Sequence, residues 1–321
     1  MLPGMIEANS LTKRYDGRAA VQDVTFRCEP GTVTGFLGPN GAGKSTTLKM
    51  LCGMAQPNTG QALVLGVPFI ELHNPGRRVG VLIDASAQHS GRRGAEVLAT
   101  SAQLMGVDRR RVGQMLDLVG LDNAAARKRV GQYSLGMRQR LGIAHALLGD
   151  PEVLMFDEPA NGLDPEGMHW MRELLRDFAA RGGTVLLSSH LLHEVQATAD
   201  RLVVISGGRI AAQGTPGELL GGAPRTIVRA AGDEVSDRLL RRALAESAIP
   251  FRDGVDGALL TDAGPDEVGR AALRGSVALA ELGSASDGAS LEHLFFQLTN
   301  SDPSQSDNHT GSTAKFEEAV Q

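Results

Sequence analysis

Apolar and polar residues recur along this chain in two periods, and the period changes at glycines and prolines. Short runs with almost no polar face stand at Val33-Thr34-Gly35-Phe36-Leu37, Val79-Gly80-Val81-Leu82-Ile83, Val153-Leu154-Met155-Phe156, Thr184-Val185-Leu186-Leu187-Ser188-Ser189 and Leu202-Val203-Val204-Ile205. Such runs suit strands covered on both faces in a parallel sheet. Between them, apolar positions at steps of three and four over 46–51, 95–105, 112–119, 135–148 and 168–180 predict helices. Strands alternating with helices predict an α/β fold with a three-layer sheet, whose sites form at the C-terminal ends of strands. Before this region, Ile6-Glu7-Ala8 and 20–26 predict short strands of an N-terminal antiparallel β subdomain, parted by turn signals at Asp16-Gly17 and Pro30-Gly31. A turn at Asn58-Thr59-Gly60 leads into one more strand, and Ser206-Gly207-Gly208-Arg209 signals a hairpin.

The pattern breaks at Gly214-Thr215-Pro216-Gly217 and again at Gly221-Gly222-Ala223-Pro224. Strand-like stretches at 227–230, 257–261 and 277–281 then alternate with helical ones at 234–248, 265–273 and 290–298, which predicts a small C-terminal α+β domain. The expected organisation is a main domain over 1–217, with a helical segment at about 86–149, an accessory domain over 222–299, and a polar tail over 300–321. The tail is rich in Ser, Asn and Asp and is expected to be disordered.

Composition narrows the function classes. A chain of 321 residues with 42% apolar content can bury a sizeable core. A net charge of −5 argues against nonspecific nucleic-acid binding and against a surface for anionic lipid. The two cysteines, Cys28 and Cys52, have no metal-ligand spacing and are expected to be buried small hydrophobes in a reducing cytosol. No apolar run approaches the ~18 residues needed to span a bilayer, and Met1-Leu2-Pro3-Gly4 lacks the build of a signal peptide. Work at a membrane would require another chain to carry the spans.

The chemistry begins at Gly38-Pro39-Asn40-Gly41-Ala42-Gly43-Lys44-Ser45-Thr46, which fits the phosphate-binding pattern Gly, four residues, Gly-Lys-Ser, between an expected strand and an expected helix. Glycines let several backbone N–H groups face one anion, and the helix N-terminus adds partial positive charge. Lys44 would reach the β- and γ-phosphates, and the Ser45 hydroxyl would bind Mg²⁺. Asp157-Glu158 ends a neighbouring apolar run. Its first carboxylate can hold Mg²⁺ opposite Ser45, and its second can orient or deprotonate an attacking water. Asp84 and His190 also fall at strand ends. Tyr15 could stack on a flat base or be an ordinary strand-end aromatic.

Taken together, these motifs resemble the ATP-binding subunit of an ABC transporter over about residues 5–217. Tyr133-Ser134-Leu135-Gly136-Met137 resembles the family's Leu-Ser-Gly-Gly-Gln signature, matching at Ser134 and Gly136. Asn161-Gly162-Leu163-Asp164 resembles the loop that crosses to a partner subunit, His190 the switch histidine, and Tyr15 the adenine-stacking aromatic. Asp84 stands where most members have a glutamine near the metal; Gln88 is the other candidate for that place, and an ionised acid can bind metal but cannot donate as an amide does. The resemblance implies a P-loop NTPase core with a helical signature subdomain. It further implies ATP and Mg²⁺ as cofactors, Glu158, His190 and Lys44 as catalytic residues, and Ser45, Asp157 and Asp84 at the metal. Its expected partners are a separate membrane-spanning permease and a second copy of this chain, at the inner face of the cell membrane. The branch it looks like includes exporters of drugs, antibiotic peptides and lipids. The alternative is a soluble ABC ATPase acting on nucleic acid or translation, which the single cassette and the acidic balance argue against.

Overall fold

Strands β1 (Ile6–Tyr15) and β2 (Arg18–Cys28) pair as an antiparallel hairpin across Asp16 and Gly17, both at positive φ. The computed structural model describes residues 5–219, 226–232, 234–254 and 257–284. Both strands outrun the expected segments 6–8 and 20–26. The register slips between Ala8 and Leu11 and again before Arg14, and Ser10 takes a positive φ of 49°. Each irregularity turns the next side chain to the other face, so the alternation that would betray a long strand is lost.

The main sheet combines β3 (Val33–Leu37), β5 (Val79–Leu82), β6 (Val153–Asp157), β7 (Thr184–Ser189), β8 (Arg201–Ser206) and β9 (Arg209–Gly214), while β4 (Thr59–Val64) joins the hairpin. The six strands run in the order β5-β6-β7-β3-β8-β9, parallel apart from β9. The order β2-β1-β4 makes a separate three-stranded antiparallel sheet. Strands β3 and β7 are buried along their whole length, as their unbroken apolar runs require.

The helices of this unit are α1 (Lys44–Leu51), α2 (Pro75–Arg78), α3 (Gly94–Met105), α4 (Arg110–Leu118), α5 (Asn123–Arg127), α6 (Leu135–Leu147), α7 (Pro165–Ala180) and α8 (Leu192–Gln196). Helix α7 begins three residues earlier than the periodicity indicates, because Asp164 caps it at the Gly167 amide and Pro165 suits its first position. A continuous core joins the two sheets through α1, with Ile6, Phe26, Phe36, Leu48, Met155 and Ile205 among its buried members. The Phe26 and Phe36 rings stack at 5.3 Å, and burying each stabilises the fold by about 2 kcal/mol. Cys28 and Cys52 are free and buried. Burial pushes the Cys28 thiol up to about 12 and raises that of Cys52 as well.

One compact unit ends at Gly214, where the sequence pattern placed the end at 217, and a second begins at Thr215, where it placed the start at 222. The second unit carries α9 (Pro216–Leu219), β10 (Thr226–Ala230), α10 (Glu234–Glu246), β11 (Phe251–Asp253), β12 (Leu259–Thr261), α11 (Pro265–Arg274) and β13 (Leu279–Ser284). Its four strands lie antiparallel in the order β11-β12-β10-β13, the split βαβ arrangement, over a core of Val228, Leu240, Leu244, Leu259 and Val268. Strand β11 escaped the sequence pattern because Phe251 is its single apolar residue. The helix expected at 290–298 and the tail at 300–321 lie outside the described residues.

Candidate functional site

The glycine loop runs from the end of β3 into α1, where the motif requires it. Gly43 precedes the helix at φ 110°, and a Cβ there would stand 2.6 Å from the Ala20 carbonyl oxygen. A Cβ on Gly38 would stand 2.5 Å from the carbonyl oxygen of Ile205. Both positions are therefore closed to any side chain. Ala42 is buried, whereas Asn40, Gly41 and Ser45 are exposed and Pro39 and Thr46 half-buried. Thr47, one residue beyond the motif, donates its hydroxyl to the Gly43 carbonyl at 2.9 Å.

Lys44 is only 6% exposed. Its Nζ donates to the carbonyl oxygens of Gly38 (2.6 Å) and Pro39 (3.3 Å) and lies 3.4 Å from Glu158 Oε1. The ammonium thus sits folded over the loop, with one carboxylate opposite it.

Asp157 and Glu158 close β6, against which α1 packs. Ser188, buried on the neighbouring β7, organises both. Its hydroxyl donates to Asp157 Oδ1, and the Glu158 amide donates to the Ser188 hydroxyl at 3.1 Å and carbonyl at 3.2 Å. Glu158 takes a φ of 48°, left-handed backbone that a non-glycine residue adopts only where neighbours hold it. His190, just past β7, places Nδ1 2.8 Å from Glu158 Oε2. Lysine, glutamate and histidine therefore form one connected group, drawn from α1 and the ends of β6 and β7. The sequence reading missed Ser188, which sits inside an apolar run, and Gln139, a buried amide on α6. Gln139 Nε2 donates to the carbonyls of Glu158 at 3.3 Å and Pro159 at 2.8 Å. A polar residue at a core-facing helical position was the available signal for it.

Ser134 caps α6, its hydroxyl accepting from the Met137 amide at 3.2 Å. Two residues past the cap, Gly136 packs against the Gly162 carbonyl so closely that a Cβ would approach to 2.6 Å. These contacts tie the helix tip to the 158–164 segment of the same chain, not to the 38–46 loop. Tyr15 ends β1 at 49% exposure, with Lys13 Nζ 5.1 Å from its ring centre. Asp84 is exposed, and its carboxylate accepts from the amide (2.7 Å) and hydroxyl (2.6 Å) of Ser86. Those two hydrogen bonds hold its carboxyl below the ordinary carboxylate range. They bind Asp84 into its own turn, and neither Ser45 nor Asp157 is among its partners.

Among the described residues, no group of three or more His, Cys, Asp or Glu side chains is placed to hold a metal by protein ligands alone. The expected Mg²⁺ would instead take one hydroxyl, one carboxylate, water and phosphate oxygens. The glycine loop, the buried lysine on main-chain carbonyls and the exposed Ser45 fit a nucleoside triphosphate with such a metal.

The sequence model of the family described as ABC transporter matches residues 21–161. Among curated relatives, an uncharacterized ABC transporter ATP-binding protein of Nostoc is 43% identical over 60% of this chain and 58% of its own length. The bacitracin transport ATP-binding protein of Bacillus licheniformis is 38% identical over 64% and 68%. The Nod factor export ATP-binding protein I of Burkholderia pseudomallei is 40% identical over 67% and 72%. The chain thus spans less than two thirds of the first of these relatives. A solved ATP-binding subunit of an ABC transporter is 28% identical, with a TM-score of 0.62 over 67% of this chain and 91% of that one. A bacterial ABC transporter cassette solved as a dimer is 20% identical with a TM-score of 0.61, a likeness of fold.

Proposed function

Because this chain belongs to the ABC transporter family, we propose that it binds and hydrolyses ATP as one half of a dimer that drives export through a separate membrane-spanning chain. The observation that carries this is the single connected group of Lys44, Glu158 and His190 beside a glycine loop whose Gly38 and Gly43 leave no room for a side chain.

The loop amides and the N-terminus of α1 bind the β- and γ-phosphates, with Lys44 leaving the Gly38 carbonyl to reach them. Tyr15, exposed at the end of β1, offers a face for the adenine. Ser45 and Asp157 would hold Mg²⁺, which neutralises charge on the phosphate oxygens. Glu158 accepts the proton of the attacking water, and His190, at its other oxygen, fixes the carboxylate in place. The amides at the α6 tip, with Ser134 and Gly136, face the γ-phosphate held by a second copy of the chain. ATP then holds two copies together, and its cleavage releases them, a two-state device biased by ligand. Asp84 belongs near the metal on the strength of its position alone.

The relatives named for bacitracin transport and Nod factor export support an export role over one in nucleic-acid processing. Among the described residues no helix is long and apolar enough to cross a membrane. On this reading a separate permease would carry the spans, with this chain working on its inner face. Phosphate release over time tests the proposal. Wild-type chain with ATP and Mg²⁺ should turn over, and Lys44→Ala should lose at least ~100-fold in kcat/KM; an unchanged rate in that variant overturns it.

A further inference from the structure

Helix α6 touches the 158–162 segment at two successive turns of one face. Gly136 meets the Gly162 carbonyl, and three residues on, Gln139 donates to the carbonyls of Glu158 and Pro159. Gln139 is 3% exposed, and both of its described hydrogen bonds go to this segment. An amide buried among apolar neighbours is costly unless its hydrogen bonds are made, so its place at these carbonyls is firmly set.

Glu158 is therefore held from both sides. Ser188 on β7 receives its amide, and Gln139 on α6 binds its carbonyl. With both flanking peptides fixed, the φ of 48° is fixed as well, and so is the direction of the carboxylate toward Lys44 and His190. Removing the Gln139 donor frees one side of a residue in a sparsely populated conformation.

We propose that Gln139 is a positioning residue for ATP hydrolysis, through which α6 sets the aim of Glu158. This rests on the reading above that the tip of α6 faces the nucleotide of the partner copy. Any shift of α6 on engaging that nucleotide is then carried by Gln139 to the carbonyl of Glu158 in its own chain. One nucleotide site thereby sets the readiness of the other.

The test uses the full chain and two substitutions. Gln139→Met keeps nearly the same volume without a donor, and Gln139→Leu also lacks one on a branched side chain. Both should lower kcat for phosphate release roughly 10- to 100-fold while the KM for ATP stays within about twofold, the mark of misplaced chemistry with intact binding. In a Glu158→Gln background, Gln139→Met should form the ATP-bound dimer at the same ATP concentration as the parent. A kcat within about twofold of wild type in Gln139→Met overturns the proposal. So does a parallel loss of kcat, ATP binding and cooperative melting, which would mark a purely structural residue. A Glu158→Gln parent that stays monomeric without any change at Gln139 overturns the dimer reading, and the coupling with it.

Discussion

His190 Nδ1 lies 2.8 Å from Oε2 of Glu158, while the other carboxylate oxygen lies 3.4 Å from Lys44 Nζ. One carboxylate is thus shared between a histidine from the end of β7 and a lysine from the first turn of α1. On the proposed reading, bound phosphate would draw the lysine toward the anion and leave the histidine as the group that orients the glutamate. His190→Ala should therefore lower kcat by roughly 10- to 100-fold and move the KM for ATP little. Steady-state phosphate release across ATP concentrations checks this, and a rise in KM at unchanged kcat would contradict it.

Glycines at different places in the fold should answer alanine differently. Gly43 is at φ 110° with its Cβ direction blocked at 2.6 Å by the Ala20 carbonyl, whereas Gly113 is exposed on α4 with open space around it. Gly43→Ala should cost about 1–3 kcal/mol and weaken ATP binding at least tenfold. Gly113→Ala should stabilise the chain by up to ~1 kcal/mol and leave ATP binding alone. Urea midpoints and fluorescent-nucleotide titrations of the two variants separate the effects.

That contrast also marks what the sequence could show. The loop at 38–46, the runs ending at Asp157 and His190 and the cap at Ser134 were legible because each is local: a spacing, a period or a side chain beside its own helix. The lengths of β1 and β2 were hidden by bulges that reverse the alternation. Ser188 and Gln139 were hidden because their roles depend on which strands and helices lie side by side. Serine in an apolar strand looks like tolerated polarity until β7 is set beside β6. Asp84 shows the opposite limit: its place at a strand end is plain in the sequence, yet its carboxylate is engaged with Ser86.

His145 on α6 gives the main unit a pH dependence. Its Nε2 lies 2.8 Å from the Ser101 hydroxyl, and burial lowers its pKa below the ordinary histidine value. The unfolded chain, with an ordinary pKa of about 6.5, then takes up this proton more readily than the folded one. The contribution is complete above pH ~6.5 and is lost as pH falls toward the lower folded value. His145→Gln, which cannot titrate, should lose less stability than wild type between pH 7.5 and pH 5.5. Denaturant midpoints at the two pH values measure the difference.

On the proposed reading ATP binds two copies of this chain together, and Glu158 ends that state by hydrolysis. Light scattering on purified Glu158→Gln with saturating ATP and Mg²⁺ should show a particle of twice the 33.8 kDa chain mass that reverts to the single mass when ATP is removed. A particle that holds ATP and stays at the single mass would contradict it.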